Sequence, residues 1–204
     1  MNLWQNISHQ FGKPSGILGR LAGFIMTNRP SNIERNEWGI SLLKINPSDF
    51  VLEIGFGPGL AISKISKMLS NGIVYGIDHS PLMLDFATKK NKEAIQSGRV
   101  KLLLGSASSL PDFENHFDKI LDVNSFQFWE NPVGSLEKLK EKMKPEGVIA
   151  FVHQPRNPGA TDDDAVKSAN HYNDLMKQAG FKEIRIEKKI MKPVATICVM
   201  GVNK

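Results

Sequence analysis

Two rhythms of apolar and polar positions run through this chain, short continuous apolar runs and longer stretches with an apolar residue every three or four positions. The runs at 51–54, 73–78, 100–104, 117–123 and 147–152 read as five strands. Between the first two, Ile62, Ile65, Met68 and Leu69 fall on one helical face, which Asn71-Gly72 ends. Ser80-Pro81 places a capping side chain before a proline and predicts a helix carrying Leu82, Met83, Phe86, Ala87 and Ala94 as far as Gly98. Asn131-Pro132 repeats that start, with Leu136, Leu139 and Met143 as its stripe and Pro145 as its stop. Thr161 opens a helix whose buried face reads Val166, Ala169, Tyr172, Met176 and Ala179, ended by Gly180. Its first turn, Asp162-Asp163-Asp164, reads as negative charge placed at the positive helix end, not as a metal site. Two β-rich runs at 181–190 and 194–202 are separated only by Met191-Lys192-Pro193, which predicts an antiparallel hairpin.

Strands that alternate with helices predict an α/β fold, a parallel sheet with helices on both faces and an antiparallel edge. Upstream, Ser31-Asn32-Ile33-Glu34 reads as a capping box opening a helix with Ile33, Trp38, Leu42 and Ile45. Residues 1–45 are expected to form a helical cap or lid on a domain spanning 46–204, the whole being one compact unit. Within the cap, residues 11–16 read as a hinge or loop. Ile17, Leu21, Phe24 and Ile25 make an apolar face near Lys13, Arg20 and Arg29. A basic amphipathic stretch of this kind, residues 13–29, either lies on a membrane surface or packs over the site, and packing is the reading favoured here.

Composition narrows the picture modestly. The chain has 204 residues, 41% hydrophobic and 23% charged, enough for one domain with a large core. Its single cysteine, Cys198, excludes a disulfide framework and fits a reducing cytoplasm. The N-terminus lacks the pattern of a signal peptide, and no apolar run approaches the ~20 residues of a membrane span. The net charge is +5, but the basic residues are dispersed, which describes a solvated surface better than a nucleic-acid patch.

Candidate chemistry centres on residues 51–60, a buried strand running into Gly55, Gly57 and Gly59 and then a helix start. Glycines at alternate positions allow a tight turn and a close approach of backbone to ligand. Asp78 closes the next strand, where a ribose hydroxyl pair is held in nucleoside-binding folds. A dinucleotide fingerprint would place its third glycine at position 60, which is Leu60. Glu53 sits on an otherwise apolar strand with no lysine or arginine nearby in sequence. Two acids without a base suit a pyrophosphate poorly. They suit an adenosine that carries an ammonium and a sulfonium.

The stretch 51–59 followed by Asp78 resembles the cofactor loop and second acidic motif of class I S-adenosylmethionine-dependent methyltransferases, small-molecule (type 11-like) subgroup. The resemblance runs over roughly residues 31–200. Gly105-Ser106-Ala107-Ser108-Ser109-Leu110-Pro111 is similar to the loop that reads the adenine edge, with Ser106 where an aspartate is usual. Phe117-Asp118, Asn124 and Phe128-Trp129 match the fourth-strand segment. Met143-Lys144-Pro145-Glu146-Gly147 resembles the turn before strand five, with Glu146 in place of a glycine. Gln178-Ala179-Gly180-Phe181 is similar to the helix end before strand six.

This resemblance implies a Rossmann-like three-layer sandwich with a seven-stranded sheet in the order 3-2-1-4-5-7-6, the last strand antiparallel. It implies S-adenosyl-L-methionine as cofactor, with Gly55, Gly57, Gly59 and Glu53 at its methionine end and Asp78 on the ribose. Ser106 and Ala107 would read the adenine, with His79 or Met83 against its face, and Asn124 would contact the amino acid moiety. His79 reads equally as a polar residue flanking its helix, and Met83 as core. Methyl transfer is an in-line displacement in which proximity and orientation supply much of the catalysis, ~7–11 kcal/mol. His153, after strand five, is the best-placed candidate for a general base. Phe126, Phe128 and Trp129 read as pocket wall or core. The expected acceptor is a small molecule. A lipid or nucleic-acid methyltransferase, an NAD(P)-binding oxidoreductase and a non-catalytic binding protein are the rivals. A nucleic-acid amino methyltransferase would carry an N-P-P-Y-like motif where this chain has Asn124-Ser125-Phe126-Gln127.

Overall fold

The apolar runs at 51–54 and 73–78 form strands whose side chains are buried on both faces, as a parallel sheet between two helical layers requires, whereas the run at 100–104 forms a strand only partly covered. The computed structural model describes residues 29–204. The expected hinge at 11–16 and the apolar face at 17–25 lie outside the described residues. In chain order the elements are α1 (Pro30–Leu43), β1 (Phe50–Ile54), α2 (Leu60–Ser66), β2 (Ile73–Asp78), α3 (Pro81–Lys90), α4 (Lys92–Gln96) and β3 (Val100–Leu104). They continue as β4 (Phe117–Val123), α5 (Pro132–Glu141), β5 (Met143–His153), α6 (Asp162–Gln178), β6 (Lys182–Lys189) and β7 (Thr196–Val202).

The sheet order is β3-β2-β1-β4-β5-β7-β6, the order expected. β1 to β5 run parallel, while β7 inserts antiparallel to both β5 and β6. Odd and even positions divide the core. Val51, Val74, Leu121, Val152 and Met200 pack with α1, α2 and α3. Leu52, Ile77, Ile120, Phe151 and Val199 pack with α5 and α6. The outer strand β6 is largely exposed and carries Lys182, Arg185, Lys188 and Lys189, charges that discourage pairing with another edge.

Three of the four side-chain caps read from the sequence form as expected. Ser80 accepts from the Met83 amide, Asn131 accepts from the Gly134 amide, and Thr161 and Asp164 make a reciprocal capping box. The box expected at Ser31–Glu34 does not form. Helix α1 begins at Pro30 without a side-chain cap, because the Ser31 hydroxyl accepts from Arg156 and Glu34 pairs with Lys189. Its buried residues are Arg35, Asn36, Gly39, Ile40 and Leu43. Ile33, Trp38 and Leu42, the apolar positions read for it, are partly covered. Helix α1, the described helix of the expected 1–45 cap, lies on the sheet face and shares its core.

Other differences are local. The helix expected over 81–98 breaks at Asn91, whose side-chain amide donates to the Gly59 and Ala87 carbonyls. Helix α2 ends at Ser66, leaving Met68 exposed, and α6 buries Ala165 where Val166 was expected. Strand β5 begins at Met143, with Glu146 in the left-handed region at φ 64° where the family's turn glycine would sit.

Helix α1 approaches the sheet at Gly39, where an added Cβ would lie 2.5 Å from Val152 Cγ2, a buried and stiff side chain. Gly39→Ala is therefore expected to destabilise the protein by about 1 kcal/mol, overpacking of roughly 1–3 kcal/mol outweighing a helix-propensity gain of about 1 kcal/mol. In a Val152→Ala background the same change should become stabilising. Urea denaturation of the four members of this cycle measures both signs.

Candidate functional site

The carboxyl ends of β2, β1 and β4, neighbours in the sheet, each carry a buried acid: Asp78, Glu53 and Asp122. The turn after β1 wraps around them. Gly55, Gly57 and Gly59 all have positive φ, at 68°, 50° and 76°, conformations that an L side chain resists. The missing side chains also make room for protein. A Cβ on Gly55 would fall 2.5 Å from Ser125, and one on Gly59 would strike Asn91 and Ala87 on the neighbouring helix. Gly57 turns its amide onto Asp78, donating to Oδ2 at 2.8 Å, while the Ser80 amide donates to Oδ1 at 2.9 Å.

Burial pushes the Asp78 carboxyl up, and the amides of Ser80 and Gly57 with the His79 imidazole partly offset that rise. Glu53 is raised well above the usual carboxylate range, first by burial and then by the nearby charges of Asp122 and Asp78. The Ile62 amide donates to it, and its Oε2 is buried without a partner. Asp122 is pushed up to about 6 by burial, against the pull of the Ser125 hydroxyl and the Ser125 and Phe126 amides. Its Oδ1 accepts from both amides at 3.0 Å, and its Oδ2 from Ser125 Oγ. No lysine or arginine pairs with Glu53, Asp78 or Asp122 among the described residues. Such a row fits a cationic ligand that supplies the missing charge.

Next to Asp78, whose carbonyl accepts from the Gly105 amide, lies an open groove of about 420 Å³ lined by His79, Leu104, Gly105, Ser106, Ser109, Leu110 and Pro111. His79 and Ser106 thus come together at one mouth. Ser106 Oγ shares a hydrogen bond with Ser108 and accepts from the Ser109 amide. Ala107 and Met83 are buried in the two core clusters, 4% and 1% exposed. The side chain of Asn124 is engaged elsewhere. Its Oδ1 accepts from the Gln154 amide at 2.8 Å and its Nδ2 donates to the Gln154 carbonyl at 3.0 Å, clamping the ends of β4 and β5. Asn124 adopts φ 59°, a conformation asparagine tolerates.

The aromatic segment divides. Phe126 is buried against Trp129, Phe151 and Tyr172, whereas Phe128 is more than half exposed. His153 ends β5 with its ring centroid 5.5 Å from that of Tyr172 and its Nδ1 buried without a partner. Burial, and then the charge of Arg35, push it down to about 4, so the imidazole is neutral and binds a proton reluctantly. Among the described residues no cluster of three or more His, Cys, Asp or Glu could hold a metal ion, and no helix is long and apolar enough to cross a membrane.

Sequence reasoning missed Asp122, although it is an acid on an apolar strand and carries the same signal as Glu53. It also missed Arg35 and Arg156, which share Asn32 Oδ1 as an acceptor. Arg35 Nη1 donates to Gln154 Oε1 at 3.1 Å across 119 residues of chain, a pairing that no local pattern announces.

Comparison with known proteins bears on the same residues. A family model described as a methyltransferase domain matches residues 52–151. A relative from Bacillus subtilis (strain 168), the uncharacterized methyltransferase YdaC, is 30% identical over 178 residues, covering 87% of this chain and 95% of the relative. The demethylmenaquinone methyltransferase of Lactobacillus johnsonii is 26% identical, covering 72% of this chain and 73% of the relative. Among solved structures, a SAM-dependent methyltransferase from Aquifex aeolicus superposes with TM-score 0.70 at 24% identity, over 87% of this chain and 95% of the other. The N-methyltransferase NodS from Bradyrhizobium japonicum, in complex with S-adenosyl-L-homocysteine, gives 0.71 at 14% identity over 100% and 99%. At these identities the two structures establish the fold.

The acid row yields a stability prediction. Folded Glu53 keeps its proton at a pH where the unfolded side chain has lost it, so its contribution to stability falls as pH rises above the unfolded value of 4.5. Glu53→Gln removes that slope. The ligand-free variant is expected to be more stable than the parent by about 1–3 kcal/mol at about pH 8, with the gap closing towards about pH 5. Urea denaturation at the two pH values checks both the sign and the trend.

Proposed function

Because this chain belongs to the class I S-adenosylmethionine-dependent methyltransferases, we propose that it moves the methyl group of S-adenosyl-L-methionine to a small-molecule acceptor by in-line displacement. The observation that carries this reading is the row of buried acids without a cation, ending at the open groove of His79 and Ser106. When bound, the cofactor supplies a methyl group on a sulfonium, ready for displacement. Everything else falls to the chain.

In this reading Asp78 accepts from the ribose hydroxyls through the lone pairs its two amide donors leave open. The turn at Gly55, Gly57 and Gly59 borders the methionine end, with Glu53 and Asp122 beneath it as counter-charges. His79 flanks the adenine, and Ser106 offers its hydroxyl there in place of the usual carboxylate. Ala107 and Met83 support that wall from inside. Asn124 acts by fixing the end of β4 against β5, so that its main chain faces the amino acid moiety. Phe128 and Trp129 border the acceptor, with Phe126 packed against Trp129. His153 accepts a hydrogen bond as a neutral imidazole; orientation and the exclusion of water carry most of the catalysis.

A small-molecule acceptor is supported by two features. Phe126, within the motif that would hold an extruded base, is buried. The relative from Lactobacillus johnsonii is named for demethylmenaquinone, a quinone and not a polymer. The membrane-contact alternative concerns residues 13–29, all but the last of them outside the described residues. Co-sedimentation with anionic vesicles tests it, and pelleting of the protein would favour a lipid acceptor.

Calorimetric titration tests the reading directly. S-adenosylmethionine and S-adenosylhomocysteine are expected to bind and NAD(P) not, and Asp78→Ala should weaken S-adenosylhomocysteine by roughly tenfold or more. Tight NAD(P) binding with no response to either sulfur ligand overturns the reading. Binding without turnover over a broad acceptor panel points to a non-catalytic protein. The pH dependence has a definite sign. A bound cation lowers the proton affinity of Asp122, about 6 in the free protein, and of Glu53, so protons are released on binding. Affinity for S-adenosylmethionine should therefore rise from about pH 5.5 to about pH 7.5, while 5′-methylthioadenosine, which carries no charge, stays flat.

A further inference from the structure

We propose that Arg35 and Arg156 form a binding site for an oxyanion, a carboxylate or phosphate group carried by the methyl acceptor, at the carboxyl end of β5. The proposal deepens the methyltransferase reading and rests on it for the identity of the ligand's owner.

Arg35 projects from α1 and is only 6% exposed. Its Nη1 donates to Gln154 Oε1 at 3.1 Å and its Nη2 to Asn32 Oδ1 at 2.9 Å, while its Nε is buried without a partner. Arg156, in the loop after β5, donates through Nη2 to Ser31 Oγ at 3.1 Å and Asn32 Oδ1 at 3.2 Å, and its Nη1 is buried without a partner. Every acceptor these two guanidiniums have found is neutral. No carboxylate pairs with either among the described residues, and Glu34 on the same helix is taken by Lys189 at 3.0 Å. Nor can the preceding chain supply one, because residues 1–28 contain no Asp or Glu.

The charges that do reach this cluster share its sign. Arg156 and Arg29 act on Arg35, and Arg29 acts on Arg156; after burial they are the remaining causes that lower the two groups, to about 9 and about 10. Both remain protonated near neutrality. A fold that buries a guanidinium beside like charges, with donors left unused, loses stability unless an anion completes the arrangement. Guanidinium forks match planar or tetrahedral oxyanions better than they match any neutral partner.

Position favours the acceptor over the cofactor as the owner of that anion. The glycine turn and the acid row belong to β2, β1 and β4, and β5 is the next strand outward. β1 and β5 are separated by two strand spacings, about 10 Å. Gln154, which holds Arg35, is itself anchored through Nε2 to the Lys192 and Val194 carbonyls, on the β6–β7 connection still further out. The Arg35–Arg156 cluster therefore sits beyond the transfer point, on the side opposite the adenine groove, where an acceptor's charged tail would be held while its nucleophile reaches back to β4.

The test uses the full chain saturated with S-adenosylhomocysteine, titrated at constant ionic strength with inorganic phosphate or acetate against a chloride control. Thermal midpoint and calorimetry are the readouts. The parent protein is expected to bind one or both anions, and Arg156→Gln to weaken that binding by roughly tenfold while leaving S-adenosylhomocysteine affinity within about twofold. Arg35→Lys, which keeps charge but loses the fork, provides a second, less disruptive variant and should weaken the same anions. Overturning results are no anion response in the parent protein, or an unchanged response in both variants. A loss of S-adenosylhomocysteine affinity in the variants with 5′-methylthioadenosine binding intact would also overturn it, since the arginines would then hold the cofactor's own carboxylate. If S-adenosylhomocysteine never binds but phosphate does so through Arg156, the anion site stands and the methyltransferase reading falls.

Discussion

Burying a carboxyl group without a cation is the constraint around which the active end of this sheet is built. A parallel strand sandwiched between helices has no solvent for its polar side chains, so Glu53, Asp78 and Asp122 must be satisfied locally or stay protonated. The chain uses backbone donors: Gly57 and Ser80 for Asp78, Ile62 for Glu53, Ser125 and Phe126 for Asp122. All of these donors but Ile62, which lies in α2, come from a turn directly after a strand, so the conformation of those turns is set by the acids they serve. Gly55 illustrates the tightness, since any side chain there would displace Ser125 from its place beside Asp122.

The outcome is a site held short of its ideal protonation in the absence of ligand. Glu53 keeps an unpartnered oxygen in the protein interior, an arrangement less stable than an amide or an apolar side chain would give. Such a position makes sense where the missing partner arrives with a ligand, because the binding energy then includes the satisfaction of a group the fold left unsatisfied. Affinity and stability are thus set against each other in one residue.

How much of this was legible in the sequence follows from the range of the interactions. Strand and helix identities depend on local periodicity, so the seven strands and the caps at Ser80, Asn131 and Thr161 could be read directly. The Ser31–Glu34 box has the right residue types, but partners more than 100 positions away claim both ends. The same limit hid Arg35, whose helix gives no hint that it will meet Gln154. Within the site, Glu53 and Asp78 were legible as acids flanking a glycine turn. The commitment of Asn124 to Gln154, and of Phe126 to the Tyr172 cluster, depends on how β4 and β5 end relative to one another, which spacing along the chain does not encode.

The two kinds of unsatisfied charge complete the picture. Acids without bases occupy β2, β1 and β4; arginines without acids stand past β5. A protein that needed only stability would bring the two sets together, since opposite buried charges with good geometry stabilise far more than separated ones. Here the strands between them, and the turns each set recruits, keep them apart. Neutral His153 and the Asn124–Gln154 clamp lie between, adding no charge that would short-circuit the separation. A polarised cleft of this kind orients a cation at one end and an anion at the other before any specific contact forms. For a transfer that starts from a sulfonium, a fixed field along the line from donor to acceptor can align the two reactants within the site.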